Sequence, residues 1–102
     1  MKFPEGFIWG AAAASYQIEG GARVDGKGDS VWDMMCRQPD RVFGAHSGED
    51  SIDHYHRYVE DILLMKKIGL QAYRFSISWP RVLPEGVGSV NEKGLGFYNR
   101  LV

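Results

Sequence analysis

The sequence predicts an α/β chain built from βα units around a parallel strand pair. Two observations carry this. The helix-periodic run DSIDHYHRYVEDILLMKKIG (50–69) is followed almost at once by the strand-like run QAYRFSISW (71–79), and an earlier strand candidate opens at Phe7. Strand, helix, strand with so short a helix-to-strand link favours parallel pairing. The second observation is the alternation in YRFSISWPR. Tyr73, Phe75, Ile77 and Trp79 form one large, mostly apolar parity, and Ala72, Arg74, Ser76 and Ser78 form a small or polar one. Such a strand has two unlike faces.

Composition bounds the rest. A chain of 102 residues is one domain at most, with 44% hydrophobic and 25% charged residues, ordinary for a globular chain. The net charge of -1 gives no sign of a nucleic-acid or anionic-membrane partner. The single Cys36 excludes an intrachain disulfide and reads as a small apolar filler. No apolar run approaches the roughly 20 residues of a membrane helix. MKFPEGFIWG lacks a signal-peptide pattern, so the expected compartment is the cytoplasm.

Taken in order, FIWGAAAASYQ (7–17) opens as a short apolar strand and continues into small residues that let other backbone approach. EGGARVDGKGDS is a Gly- and Asp-rich loop. VWDMMC is a short helix capped by Ser30, and RQPDRVFGAHSGED returns to loop. In the long helix Ile52, Tyr55, Tyr58, Val59, Ile62, Leu63 and Ile68 define the apolar face. Asp50 is the expected N-cap with Asp53 in the first turn. Lys66 and Lys67 suit the last turn, and Gly69 the stop. The strand through Trp79 is ended by Pro80, which has no N–H to donate. After a turn-rich loop, NEKGLGFYNRLV starts a helix with Asn91 as cap and Leu95, Tyr98, Leu101 and Val102 on one stripe. The chain stops inside that helix on apolar residues, which predicts a piece of a longer chain.

FIWGAAAASYQIEGG, DGKGDSVWD, DHYHRYVEDILLMKKIG, YRFSISWPR and NEKGLGFYNRL resemble, in that order, motifs of the family 1 glycoside hydrolases, the β-glucosidase family. Phe7, Trp9, Gly10, Tyr16, Gln17 and Glu19 fall on positions of the first motif. The resemblance implies an N-terminal part of a (β/α)8 TIM barrel: first strand, first helix, second strand and start of the second helix. A whole barrel needs roughly 250 residues, so residues 1–102 would be a fragment of one barrel domain.

The resemblance also implies the chemistry of a retaining β-glycosidase, with two carboxylates roughly 5 Å apart across the glycosidic bond. The family takes its acid/base from a Thr-(Phe/Leu)-Asn-Glu-Pro motif and its nucleophile from a Glu-Asn-Gly motif. Neither occurs here, and Glu5, Glu19, Glu49, Glu60, Glu85 and Glu92 lack such contexts. No catalytic residue is therefore expected in this chain, and no cofactor is implied. Gln17 matches the glutamine that hydrogen-bonds hydroxyls of the terminal sugar, a task suited to an amide's donors and acceptor. Arg74 matches the arginine that points into the barrel and supports the missing nucleophile, lowering its pKa by an opposite charge.

Plainer readings stand beside these. Gln17 could be a solvated loop residue and Arg74 a snorkelling one. Glu19 reads as structural at the mouth of the first strand. His54 and His56, at i, i+2, point to different helix faces and suit no shared metal. Trp9, Trp32 and Trp79 could stack on sugars but read as packing residues, and Lys67 and Arg81 read as solvated. Three expectations close the reading. The parent is a β-glycosidase or a 6-phospho-β-glycosidase. The isolated chain is inactive, a folding or assembly fragment. It self-associates, stays partly ordered, or is completed by a complementing barrel fragment.

Overall fold

Glycine and alanine, not the preceding aromatics, make the first strand. The computed structural model describes residues 2–102, in which β1 is Gly10–Ala13 and β2 is Ala72–Phe75. They pair in parallel, Gly10 opposite Ala72 through Ala13 opposite Phe75. The small side chains permit the approach: a Cβ on Gly10 would lie 3.0 Å from the carbonyl oxygen of Ala72. The strand expected to open at Phe7 is thus displaced. Phe7 and Trp9 instead form an exposed aromatic trio with Phe3, centroids 4.5 to 4.8 Å apart.

After β1 the chain makes one helical turn, α1 (Ser15–Ile18). A loop with a 3-10 turn at Val24–Gly26 leads to α2 (Val31–Cys36). Ser30 caps α2 as expected, through a full capping box: its hydroxyl accepts from Asp33 N while the Asp33 side chain accepts from Ser30 N. A second loop reaches α3 (His54–Lys67), the crossover between the strands. Lys66 and Lys67 occupy its last turn, and Gly69, at φ 86°, lets the chain leave.

The start of α3 differs from expectation. Asp53 is the cap residue and Asp50 lies in the turn before it. The reason is that a distant carbonyl serves the helix end: Tyr55 N donates to Glu19 O at 2.9 Å. The expected apolar face is only partly used. Tyr55 is buried, whereas Ile52, Val59, Leu63 and Ile68 are exposed.

β2 ends at Phe75, earlier than the alternation suggests, and Trp79–Val82 is a helical turn, α4. Pro80 sits at its start, where a missing N–H costs nothing and the fixed φ suits a helix. Proline therefore opens a turn here instead of ending a strand. The final helix, α5, is Glu92–Leu101. Asn91 holds the cap position without capping. Its Nδ2 donates instead to the carbonyls of Asp25 at 2.8 Å and Arg81 at 2.9 Å. The buried face of α5 is Gly94, Phe97 and Tyr98, with Leu101 half-buried, so Phe97 replaces Leu95 in the expected stripe.

Tyr55, Phe97 and Tyr98 form the core, with Val24, Tyr58, Phe75, Val82 and Leu101 packed around it. The sheet follows the alternation. Ala11, Ala13, Tyr73 and Phe75 are half-covered, and Gly10, Ala12, Ala72 and Arg74 are exposed. No helix among the described residues is long and apolar enough to cross a membrane.

Candidate functional site

The two residues singled out in sequence lie at the same end of the sheet. Gln17 is exposed on α1, the turn leaving the C-terminal end of β1. Arg74 is exposed near the C-terminal end of β2, in register with Ala12. The hydroxyl of Ser76 accepts from Ser15 N at 2.8 Å, tying the segments that follow the two strands. Gln17 borders a cavity that Arg74 does not line.

Gln17 borders an open cavity of about 400 Å³ with Tyr16, Trp32, Cys36 and His46. The Tyr16 ring stacks on Trp32, centroids 6.0 Å apart. Its hydroxyl donates to Cys36 Sγ at 3.0 Å and accepts from Gly48 N at 3.1 Å. Burial, and then the bond to Cys36, raise the Tyr16 pKa above its ordinary value. Cys36 is half-buried and engaged in this contact.

Beside this lies a charged cavity of about 160 Å³, bordered by Glu19, Lys27, Asp33 and Arg81. Arg81, expected in solvent, is 1% exposed and is one of the most enclosed side chains. Its Nε donates to Glu19 Oε2 at 2.9 Å and its Nη2 to Gly20 O at 3.0 Å. The guanidinium also lies 4.1 Å from the centroid of the Tyr55 ring. Burial of a charge is tolerable only with such partners. The Tyr98 hydroxyl donates to Glu19 Oε1 at 2.6 Å and accepts from Ser78 N at 2.7 Å. Burial first, then the Glu19 carboxylate, raise the Tyr98 pKa strongly. Glu19 has the structural position expected of it.

Asp33 and Lys27 form a second buried pair at 2.9 Å. Burial pushes the Asp33 pKa up, but bonds from the Ser30 side chain and backbone and from Lys27 outweigh it, leaving the pKa below the usual value. Sequence reasoning missed both pairs. The alternating charges of DGKGDS and the arginine after Pro80 were visible, but their partners were not.

The histidines separate as their spacing requires. His54 is buried and meets Asp61 at 2.6 Å, and exposed His56 meets Asp53 at 2.7 Å. Among the described residues, no three histidines, cysteines or acidic residues form a metal-binding group. The tryptophans are less enclosed than the packing expectation required. Trp9 and Trp32 are about half exposed. Trp79 is 64% exposed, its Nε1 donating to Gly86 O at 2.9 Å.

This chain is similar over almost its whole length to known enzymes. It is 58% identical to Beta-glucosidase A of Acetivibrio thermocellus over 101 residues, 99% of this chain and 22% of the relative. It is 55% identical to the Aryl-phospho-beta-D-glucosidase BglC of Bacillus subtilis, again over 99% of this chain but 21% of the relative. The solved structure of a Beta-glucosidase from Thermotoga maritima in complex with galacto-hydroximolactam superposes with a TM-score of 0.93 at 57% identity. That match covers 98% of this chain and 23% of the enzyme. The chain thus spans between a fifth and a quarter of the relatives it matches. The family described as Glycosyl hydrolase family 1 matches residues 1–102. With the motif order, the parallel strand pair and these likenesses in agreement, the chain belongs to glycosyl hydrolase family 1.

Proposed function

We propose that residues 1–102 form the N-terminal part of a single (β/α)8 barrel domain in a retaining β-glycosidase acting on terminal β-linked glucosyl or related residues. The observation that carries this reading is the parallel register of β1 and β2. It leaves Arg74 on an exposed sheet face otherwise made of Gly10, Ala12 and Ala72, with Gln17 just beyond the strand ends. A face of such small residues with one cation suits the inside of a barrel whose site lies at the C-terminal strand ends.

In this reading Arg74 stands beside the nucleophilic glutamate and keeps it ionised, as an opposite charge does. Gln17 holds adjacent hydroxyls of the terminal sugar through its amide. The glutamate that protonates the leaving oxygen and the one that attacks the anomeric carbon both lie outside these residues. The isolated chain is then inactive, a folding or assembly piece of the enzyme. The test is hydrolysis of an aryl β-glucoside by the full-length protein, its Gln17→Ala and Arg74→Ala variants, and residues 1–102 alone. Activity in the full-length protein, lowered in both variants and absent from the short chain, is the expected outcome. Turnover by the purified short chain overturns the assignment.

A second reading, a 6-phospho-β-glycosidase, rests on the 55% identity to the aryl-phospho-β-glucosidase, beside 58% to Beta-glucosidase A. Comparing the full-length protein on an aryl β-glucoside and its 6-phosphate decides between the two.

A further inference from the structure

We propose that Glu19 and Arg81 are a positioning pair that fixes the turn bearing Gln17 against the strand bearing Arg74. The importance of that alignment for turnover rests on the reading above. The Gln17 side chain is exposed and makes no hydrogen bond among the described residues, while its backbone carbonyl accepts from the Ser51 hydroxyl and its N–H donates to Ala14 O within the turn. Two residues later the chain is locked. The Glu19 carboxylate takes one donor from Arg81 on α4 and one from Tyr98 on α5, both elements that follow β2. Tyr98 in turn accepts from Ser78 N, three residues past the end of β2.

The backbone beside Glu19 is held as firmly. Gly20 O accepts from Arg81, and Glu19 O accepts from the N-terminus of α3. Gly20 has φ 63°, and a Cβ there would overlap the carbonyl of Asp50. Core cohesion alone is a weak reason for such a pair, because well-packed apolar residues commonly match or exceed a buried ion pair in stability. What directional, charge-assisted bonds add is one geometry.

The experiment uses the full-length protein and the variants Arg81→Met, Gln17→Ala and their combination, assayed on an aryl β-glucoside. Arg81→Met is expected to lower kcat/KM by on the order of 10- to 100-fold, as misplacement of a substrate-holding group by about an ångström does. In the Gln17→Ala background the same substitution is expected to cost less than about threefold, because the two act as a unit. Val24→Ala, which loosens the same core but makes none of these side-chain bonds, is expected to multiply with Gln17→Ala. Independent, multiplicative effects of Arg81 and Gln17 overturn the proposal.

A crystal structure of the Arg81→Met protein supplies the second readout. The Ser15–Ile18 turn is expected to shift relative to Ala72–Phe75, and an unmoved turn overturns the pairing. If the parent protein cleaves no β-glycoside, the proposed function falls while this structure still decides the positioning role. Should Arg81→Met not fold, Glu19→Gln carries both measurements.

Discussion

Arg81 Nε lies 2.9 Å from Glu19 Oε2, joining residues 62 positions apart, with both side chains almost wholly withdrawn from water. Removing one member of such a pair strands the other charge, at a cost of about 3–5 kcal/mol. Arg81→Met is therefore expected to lower the denaturant midpoint of the full-length protein sharply. The double variant Glu19→Gln/Arg81→Met is expected to lose less than Arg81→Met alone, because no unpaired charge remains. A double variant weaker than the single would contradict this account.

Alkaline pH should loosen the same region. The Tyr98 pKa is raised in the folded chain, chiefly by burial and then by Glu19. Tyr55 and Tyr73 are raised too, each mainly by burial. A raised pKa means the folded state holds the proton more tightly than the unfolded one. The resulting stability is complete below about pH 10, the ordinary tyrosine value, and falls as pH rises through the folded values. Unfolding followed from pH 8 to 11 is expected to show this decline, less steep in Tyr98→Phe. An unchanged slope in that variant would place the titration elsewhere.

Acid acts on α2. The Asp33 pKa is lowered in the folded chain, burial opposing and the Ser30 and Lys27 bonds prevailing. Its contribution is present above about pH 4 and lost as pH falls through the folded value. In Asp33→Asn that acid-dependent loss is expected to disappear, at the cost of a lower midpoint at pH 7 because Lys27 is left buried without its partner. Midpoints at pH 7 and at pH 3 check both parts.

Two glycines of α5 should respond in opposite directions. A Cβ at Gly94 would overlap the carbonyl of Arg81, so Gly94→Ala must push α5 off α4, costing about 1–3 kcal/mol. At Gly96 the nearest atom is the flexible tip of Arg100, at 3.3 Å. Gly96→Ala is expected to gain about 0.5–1 kcal/mol from helix propensity. Thermal midpoints of the two variants moving the same way would show the packing of α5 to be misread.

The isolated chain should not remain a simple monomer. Among the described residues each strand of the two-stranded sheet has an unpaired edge, and Val59, Leu63, Leu64 and Ile68 of α3 are exposed. Open edges beside apolar side chains recruit further chains. Light scattering at low micromolar concentration is expected to report self-association, or a concentration-dependent unfolding transition. A monomer with a sharp, concentration-independent transition would show this quarter-length chain to be autonomous.

The Ser30 cap and the end of α3 at Gly69 were legible because each depends on neighbours within a few residues. The parallel pair, though 62 positions apart, was legible because the short link from α3 to β2 restricts how the strands can pair. Arg81 was not. An arginine after Trp-Pro looks solvated until Glu19 and Tyr55, far away in the chain, are brought to it. Phe97 was available at the spacing 94, 97, 98, 101, but reading that face required accepting Gly94 as an approach point for α4. The Asp50 expectation failed because a carbonyl from the first loop serves the helix end in place of a side chain. For Gln17 and Arg74, the chain places both at one end of the sheet, while their expected partners lie outside it.

The bond from Tyr98 to Glu19 spans 79 positions, and this sets a delay. A ribosome adding roughly 5–20 residues per second finishes Tyr98 about 4–16 s after Glu19. Arg81 arrives earlier, but α5 completes the cover. During that interval the Glu19 carboxylate lacks the Tyr98 hydroxyl and the cover of α5, so burying it costs more than in the finished fold. The bond that later secures the Gln17 turn therefore also sets when during synthesis that turn can close.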